Sequence, residues 1–186
     1  QAADIVYVQM PLDPAAYSDN GAAMQLLNWA TRLVDRSKMT MLVSAGAVDR
    51  VGDAFLQMSN EEALANFGEL EFVSGSEEVE PGTAVELALS GDASPLEWDG
   101  ASLTYRYSYE MNDQTHEVWL GNPAALASRL EMANRYRLRG AAVRGLGNVS
   151  DGDGYASALA AFTGMSTAPE TSGAAIVWTV LDEEGS

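Results

Sequence analysis

The sequence contains no cysteine and a single histidine, His116. Disulfides, thiolate catalysis and Cys-ligated zinc or iron–sulfur sites are thereby excluded, and so is a metal centre built on several histidines. Basic charge is scarce as well. Lys38 is the one lysine, nine arginines accompany it, and 27 acidic residues leave a net charge of −17. Such a surface lacks the cationic footprint that nucleic acid or an anionic membrane requires, so neither is expected as a partner. No uninterrupted apolar run approaches the ~18 residues needed to span a bilayer. The opening residues Gln1-Ala2-Ala3-Asp4 have no basic or long apolar region of a signal peptide. A mature, a cytosolic or a partial chain is expected. Hydrophobic residues at 47% and a mean hydropathy of −0.09 suffice for a folded core, and 186 residues for one sizeable domain. An acidic, lysine-poor, Ala- and Gly-rich composition fits a bacterial protein outside the cytoplasm, and equally a salt-adapted cytosolic one.

Two near-continuous apolar runs, Ile5–Met10 and Met39–Val43, read as buried strands, the first stopped by Pro11 and Pro14. Between them Ala23, Leu26, Leu27, Ala30, Leu33 and Val34 recur at three- and four-residue steps, which predicts a helix over 21–36. Strand, helix, strand makes a βαβ unit, hence a parallel sheet. Ser59-Asn60-Glu61-Glu62 opens a short helix with a cap and first-turn acids. From Gly68 to about Trp98, Glu and Gly crowd an irregular, solvated stretch with one strand at 83–89. Its acids have no spacing of cation ligands. Ser102–Tyr109 and Thr115–Leu120 alternate around the turn residues Met111–Gln114 and predict a β-hairpin. Asn122 and Pro123 start a helix to Arg137, Gly140–Val143 is a third buried strand, and a last helix lies near 155–162. Residues 166–173 read as a linker before an isolated strand, 175–181.

Four features invite a chemical reading. His116 is expected as an edge histidine bonded to a backbone group or a carboxylate, since no nucleophile accompanies it. Arg129, Arg135, Arg137, Arg139 and Arg144 crowd the last long helix and the strand after it. Favourable cations at a helix end are expected, with acidic-glycan or peptide-stem recognition as the alternative. Trp119 is a core ring or a sugar-stacking one. Asp151-Gly152-Asp153-Gly154 lacks the later glutamate of a calcium-binding loop and is expected to be a plain loop.

In their order, several stretches resemble the C-terminal half of a family 18 glycoside hydrolase barrel, in its bacterial cell-wall and spore-cortex branch. Ala3–Asp13 resembles the sixth barrel strand, Arg36–Val43 the opening of the seventh, and Ser59–Leu64 the first helix of the family's inserted subdomain. His116–Trp119, Leu126-x-x-Arg129-Leu130 and Leu138–Gly147 resemble the eighth helix and strand with their approach. The resemblance covers residues 3–165. It implies an α/β fold: a partial (β/α)8 barrel, strands six to eight, with an inserted α+β subdomain. Residues 1–58 would hold strands six and seven with their helix, and 59–120 the insertion, ending in the hairpin. Residues 121–165 would be the last helix–strand–helix of the barrel, and 166–186 a linker and the start of a following β segment. Sugar contacts would fall on Met10, Asp13, Trp119 and Arg144.

Departures from the family pattern matter as much. Leu12 stands where the family's strand-six tyrosine orients the substrate acetamido group, and Leu cannot hydrogen-bond. Arg144 stands where a tryptophan floors the sugar site. No stretch has the form Asp-x-x-Asp-x-Asp-x-Glu, which carries the family's general acid. The resemblance therefore implies an extracytoplasmic glycan-binding or structural module without hydrolase activity of its own. Its alternatives are a fragment of an active chitinase or peptidoglycan glycosidase whose acid lies outside this chain, and an assembly subunit that joins neighbours by strand edges. No cofactor or metal is called for. Three parallel strands cannot close a barrel, so the missing half is expected from a longer polypeptide or from a partner subunit.

Overall fold

The computed structural model describes residues 3–74, 85–90, 93–146, 152–164 and 176–179. Strand β1 (Val6–Gln9), helix α1 (Ala22–Leu33) and strand β2 (Met39–Ser44) come first. A hairpin of β3 (Ala47–Val51) and β4 (Ala54–Met58) and helix α2 (Asn60–Ala65) follow. Strands β5 (Glu69–Ser74), β6 (Val85–Ser90), β7 (Glu97–Asp99), β8 (Thr104–Met111) and β9 (Gln114–Trp119) lead to helix α3 (Pro123–Arg135). Strand β10 (Gly140–Arg144), helix α4 (Gly152–Phe162) and strand β11 (Ile176–Thr179) complete the order.

The first sheet runs β1-β2-β10, all parallel, with Val8 opposite Met41 and Val143 opposite Val43. Side chains alternate across a strand. One face therefore carries Val8, Met41, Val43, Ala141 and Val143, which pack with Leu27 of α1 and Leu126 and Leu130 of α3. The other face carries Tyr7, Gln9, Leu42, Ala142 and Arg144. No helix among the described residues covers it, and Tyr7 is 62% exposed.

The second sheet is antiparallel, in the order β4-β3-β9-β8-β7. Its β8–β9 turn places Asn112 and Asp113 at φ +53° and +58°, the conformation a two-residue hairpin needs and the turn chemistry predicted. Ala63 of helix α2, with Phe67 just after it, packs onto Tyr107, Tyr109 and Val118. Ser59 caps that helix reciprocally with Glu62: Glu62 N–H donates to Ser59 Oγ (3.0 Å) and Ser59 N–H to Glu62 Oε2 (2.8 Å). The third sheet, β11-β6-β5, pairs β5 and β6 antiparallel and β11 parallel to β6.

Four expectations are corrected. Residues 47–58 form a hairpin of the second sheet, so that sheet begins ahead of 59 and the stretch 1–58 is divided between two sheets. Its signal was Gly52-Asp53, with Gly52 at φ +59° between two short β-rich runs. The acidic stretch after Gly68 contains strand β5 as well as the expected β6; residues 75–84 lie outside the described ones. The strand near the C-terminus is not isolated, because β6 offers it an edge. Gly152–Gly154 opens α4 rather than a loop, while Asp151 and the linker 166–173 lie outside the described residues.

The first two sheets meet at two glycines. A Cβ on Gly46 would collide with the Met58 carbonyl, and one on Gly121 with the Ala45 carbonyl. Asn60 clamps the junction: its Nδ2 donates to Gly121 O and its Oδ1 accepts from Gly121 N–H, both 2.8 Å. Gly121→Ala should therefore lower stability by about 1–3 kcal/mol in urea unfolding, as overpacking does. Gly140→Ala, with no atom within 4 Å of the new methyl, should leave the midpoint unchanged or raise it.

Candidate functional site

Open parallel sheets bind ligands beyond the carboxyl ends of their strands. Here those ends are residues 10–13 after β1, 44–46 after β2 and 144–146 after β10. Ser44 and Arg144 are register partners on the face without helices. The Ser44 hydroxyl is buried and has no hydrogen-bond partner among the described residues. Arg144 beside it is exposed, and its carbonyl accepts from Ala45 N–H at 2.9 Å. At the third strand end, Asp13 Oδ1 accepts from Ala15 N–H (2.9 Å) and caps the turn Pro14–Tyr17.

Met10 is not available there. It shares the parity of Val6 and Val8, so it points to the helices and lies in the core. Trp119 belongs to β9 of the second sheet and is largely buried. Its Nε1 donates to Asp99 Oδ2 (3.3 Å), and the Arg50 guanidinium sits 5.6 Å over its ring. Register places Trp119 opposite Val48, and Val48 opposite Gln57, on one face of that sheet. The Gln57 amide nitrogen lies 3.0 Å from where a Cβ of Gly145 would stand, so this face overhangs the end of β10. The structure thus brings Asp13, Ser44, Arg144 and Gln57 to one end of the parallel sheet, with Trp119 in the neighbouring wall and Met10 beneath. Only strand register selects Ser44 and Gln57. Parity alone could not say which face of β2 stays free of helices.

Under the strand ends lies Arg129. It is 9% exposed, its Nη1 donates to Ser44 O (3.0 Å), and its guanidinium stacks 4.9 Å from the Tyr17 ring. This corrects the expectation of a solvated helix-end cation, which holds for Arg135, Arg137 and Arg139. Burial pushes the Arg129 guanidinium below its usual range, against the opposing field of Tyr17 and Tyr155. Burial likewise raises the Tyr17 phenol, with Arg129 opposing.

His116 lies elsewhere. Strand β9 is flanked by β3 and β8, so His116 is interior rather than at an edge. Its Nδ1 meets Asp49 Oδ2 at 2.7 Å, both groups buried, and its ring stacks on Tyr109 at 4.5 Å. This pair is on the face opposite Trp119 and holds the sheet under α2. Among the described residues no three His, Asp or Glu side chains are grouped as metal ligands, and no helix is long and apolar enough to cross a membrane. The strand-end residues 10–13, 44–46 and 144–146 contain one carboxylate, Asp13.

A parallel sheet backed by helices, with an antiparallel sheet inserted between its second and third strands, is consistent with part of an α/β barrel. Solved structures share the fold, among them a chitinase and a spore cortex-lytic enzyme. The chitinase of Chromobacterium violaceum superposes with a TM-score of 0.53 at 19% identity, over 86% of this chain and 46% of the chitinase. The spore cortex-lytic enzyme SleL of Bacillus cereus superposes with a TM-score of 0.51 at 13% identity, over 90% of this chain and 36% of SleL. The chain therefore spans less than half the length of either. No protein-family model and no curated protein matches the sequence.

Arg129→Ala should cost about 2–4 kcal/mol in urea unfolding, because it opens a cavity and strips the Ser44 carbonyl of its donor. Asp99 adds a pH signature. Burial works to raise its pKa, but hydrogen bonds from Ser102 Oγ, Ala101 N–H and Trp119 Nε1 outweigh it and hold the carboxyl below the usual range. A lowered folded pKa stabilises above the ordinary Asp value near ~4, and that stability is lost as pH falls through the folded value. Asp99→Asn should thus be less stable at pH 7 by under about 1 kcal/mol, given the solvent screening at this partly exposed site. Thermal melts across the acid range should show the difference closing as Asp99 protonates.

Proposed function

We propose that this chain is a family 18 glycoside hydrolase-like module, built on barrel strands six to eight, that binds a glycan of the bacterial cell envelope without hydrolysing it. One observation carries the reading: a buried Ser44 hydroxyl with no hydrogen-bond partner among the described residues, beside an exposed Arg144 at the strand ends. A buried hydroxyl left unpaired costs free energy until a ligand or water satisfies it. A sugar hydroxyl or acetamido oxygen is chemically suited to Ser44 and Gln57, and a sugar carboxylate or peptide stem to Arg144. Asp13 would accept from ring hydroxyls, and Trp119 would stiffen the wall behind Gln57. The sequence has no Asp-x-x-Asp-x-Asp-x-Glu stretch to supply the family's general acid, which supports binding without cleavage. An extracytoplasmic setting follows from the ligand class.

A second reading draws on the span. Because the chain matches less than half of each barrel, a catalytic acid could reside in residues outside it, and the module would then be the binding half of an active glycosidase.

Titration with chitin and peptidoglycan oligosaccharides, followed by 15N-resolved NMR, should perturb Ser44, Gln57 and Arg144 first. Arg144→Ala should weaken binding about tenfold, close to 1.4 kcal/mol. Reducing-end assays on the 186-residue chain should stay at background. Absence of perturbation at millimolar oligosaccharide would remove the glycan reading, and sugar release by this chain alone would remove the non-hydrolytic one.

A further inference from the structure

The chain has ten basic residues, and six of them gather at one end of the parallel sheet: Arg32, Arg36, Lys38, Arg135, Arg137 and Arg139. That end holds the starts of β2 and β10 and the last turns of α1 and α3. It lies opposite the strand ends that carry Asp13, Ser44 and Arg144. The six come from two loops far apart in sequence, and the fold joins them. Arg139 N–H donates to the carbonyls of Arg36 (3.0 Å) and Met39 (2.9 Å), and Arg36 Nη1 reaches the Tyr136 carbonyl at 3.5 Å. Of the 27 acidic residues, Asp4, Asp35 and Glu131 are those placed there among the described ones. Asp35 is already engaged by Ser37 N–H and Oγ, and Glu131 by Asn134 Nδ2. The ion pairs among the described residues involve Arg50, Arg106 and His116, and none of these six. Attraction to the helix dipoles accounts for Arg32 and Arg135, which sit in last turns. It does not account for Arg36, Lys38, Arg137 and Arg139, which lie beyond the helices. Arg137 also takes φ +54°, a conformation in which helices commonly end on glycine. An exposed arginine where glycine would sit with less strain points to a use for its side chain.

We infer that this end of the sheet is a binding surface for a linear phosphodiester polymer that carries no bases. All but Lys38 of the six cations are arginine, whose planar fork matches a pair of phosphate oxygens. Helices α1 and α3 adjoin there, with the Tyr136 hydroxyl 2.9 Å from Asn28 Oδ1. Their ends therefore set the cations in a band about one helix spacing wide, ~10 Å. A single extended polymer fills such a band, whereas a duplex or a bilayer overruns it. The one aromatic ring in the two loops is Tyr136, whose hydroxyl is committed to Asn28 and the Met24 carbonyl, so no platform is offered to a nucleobase. The net charge of −17 conceals this patch, because a charge count carries no positions. It also confines a polyanion to this end, since acidic residues prevail elsewhere. The inference concerns the end of the strands remote from the candidate site and stands whether or not a glycan binds.

Calorimetric titration of the 186-residue chain with poly(glycerol phosphate) should show binding that weakens steeply as salt is added, because bound counterions are released. Arg137→Gly should weaken that binding about tenfold, the effect of one charge-assisted contact. Its urea midpoint should hold or rise, since glycine relaxes the backbone at this φ. Arg106→Gln removes the same charge from the second sheet and should leave binding nearly unchanged. Equal losses in the two variants would reduce the effect to net charge and overturn the proposal. So would an Arg137→Gly chain that binds as before. Equal affinity for polyglutamate would overturn the choice of phosphate, and tighter binding of a single-stranded oligonucleotide the choice of a polymer without bases. Capture by phosphatidylglycerol vesicles in preference to the soluble polymer would replace the linear ligand with a membrane surface. No binding of the polymer at millimolar phosphate overturns the inference outright.

Discussion

Strand β2 is the constraint on which the rest hangs. Both of its edges are paired, to β1 and to β10, and its helix-facing residues Met39, Met41 and Val43 are all buried. Its final residue sets Ser44 beside Arg144, and its carbonyl receives Arg129 from α3. Two residues later, Gly46 passes under the Met58 carbonyl and hands the chain to the second sheet. Displacing β2 would therefore disturb the parallel ladder, the candidate site and the join between the sheets together, because close packing transmits such shifts instead of absorbing them.

Two buried polar groups on opposite sides of that join illustrate different uses of burial. Arg129 has a carbonyl and an aromatic face in place of a carboxylate, which suits a planar, weakly hydrated guanidinium better than an ammonium. His116 and Asp49 satisfy one another beneath α2, in a sheet face otherwise made of Tyr, Phe, Ala and Val. Both arrangements brace strands. Neither places a proton donor at the strand ends, where a ligand would sit. The polar side chains that do gather at the strand ends are Asp13, Ser44, Gln57 and Arg144.

The parallel sheet is also unfinished as an energetic object. Apolar strands with helices on one face are ordinarily covered on both. Here Tyr7 and the Trp29–Leu33 stripe remain in water, although either would be stabilised by about 1.5–3 kcal/mol per side chain if covered. The same face carries Arg144 and the Ser44 hydroxyl, which has no hydrogen-bond partner among the described residues. Whatever covered this face would thus also wall the candidate site.

Local rules were enough for much of this protein. Two β-rich runs with a 3.6-period stripe between them determine β1, α1 and β2 as a parallel unit. Asn112-Asp113 determines the β8–β9 turn, and Ser59 with Glu62 and Asn122 with Pro123 set the starts of α2 and α3. These are contacts between residues a few positions apart, so their signal is written contiguously. The resemblance added the barrel, and with it Asp13 and Arg144 at the strand ends. What it could not supply was decided over long sequence separations. The hairpin at 47–58 joins β9 from some seventy residues away, β11 finds β6, Arg129 turns inward to Ser44, and Gln57 reaches Gly145. Met10 left the site for the core, and Trp119 went to the neighbouring sheet, because register and parity are properties of paired strands. Only the tertiary structure sets which face of a strand meets a helix and which is left open.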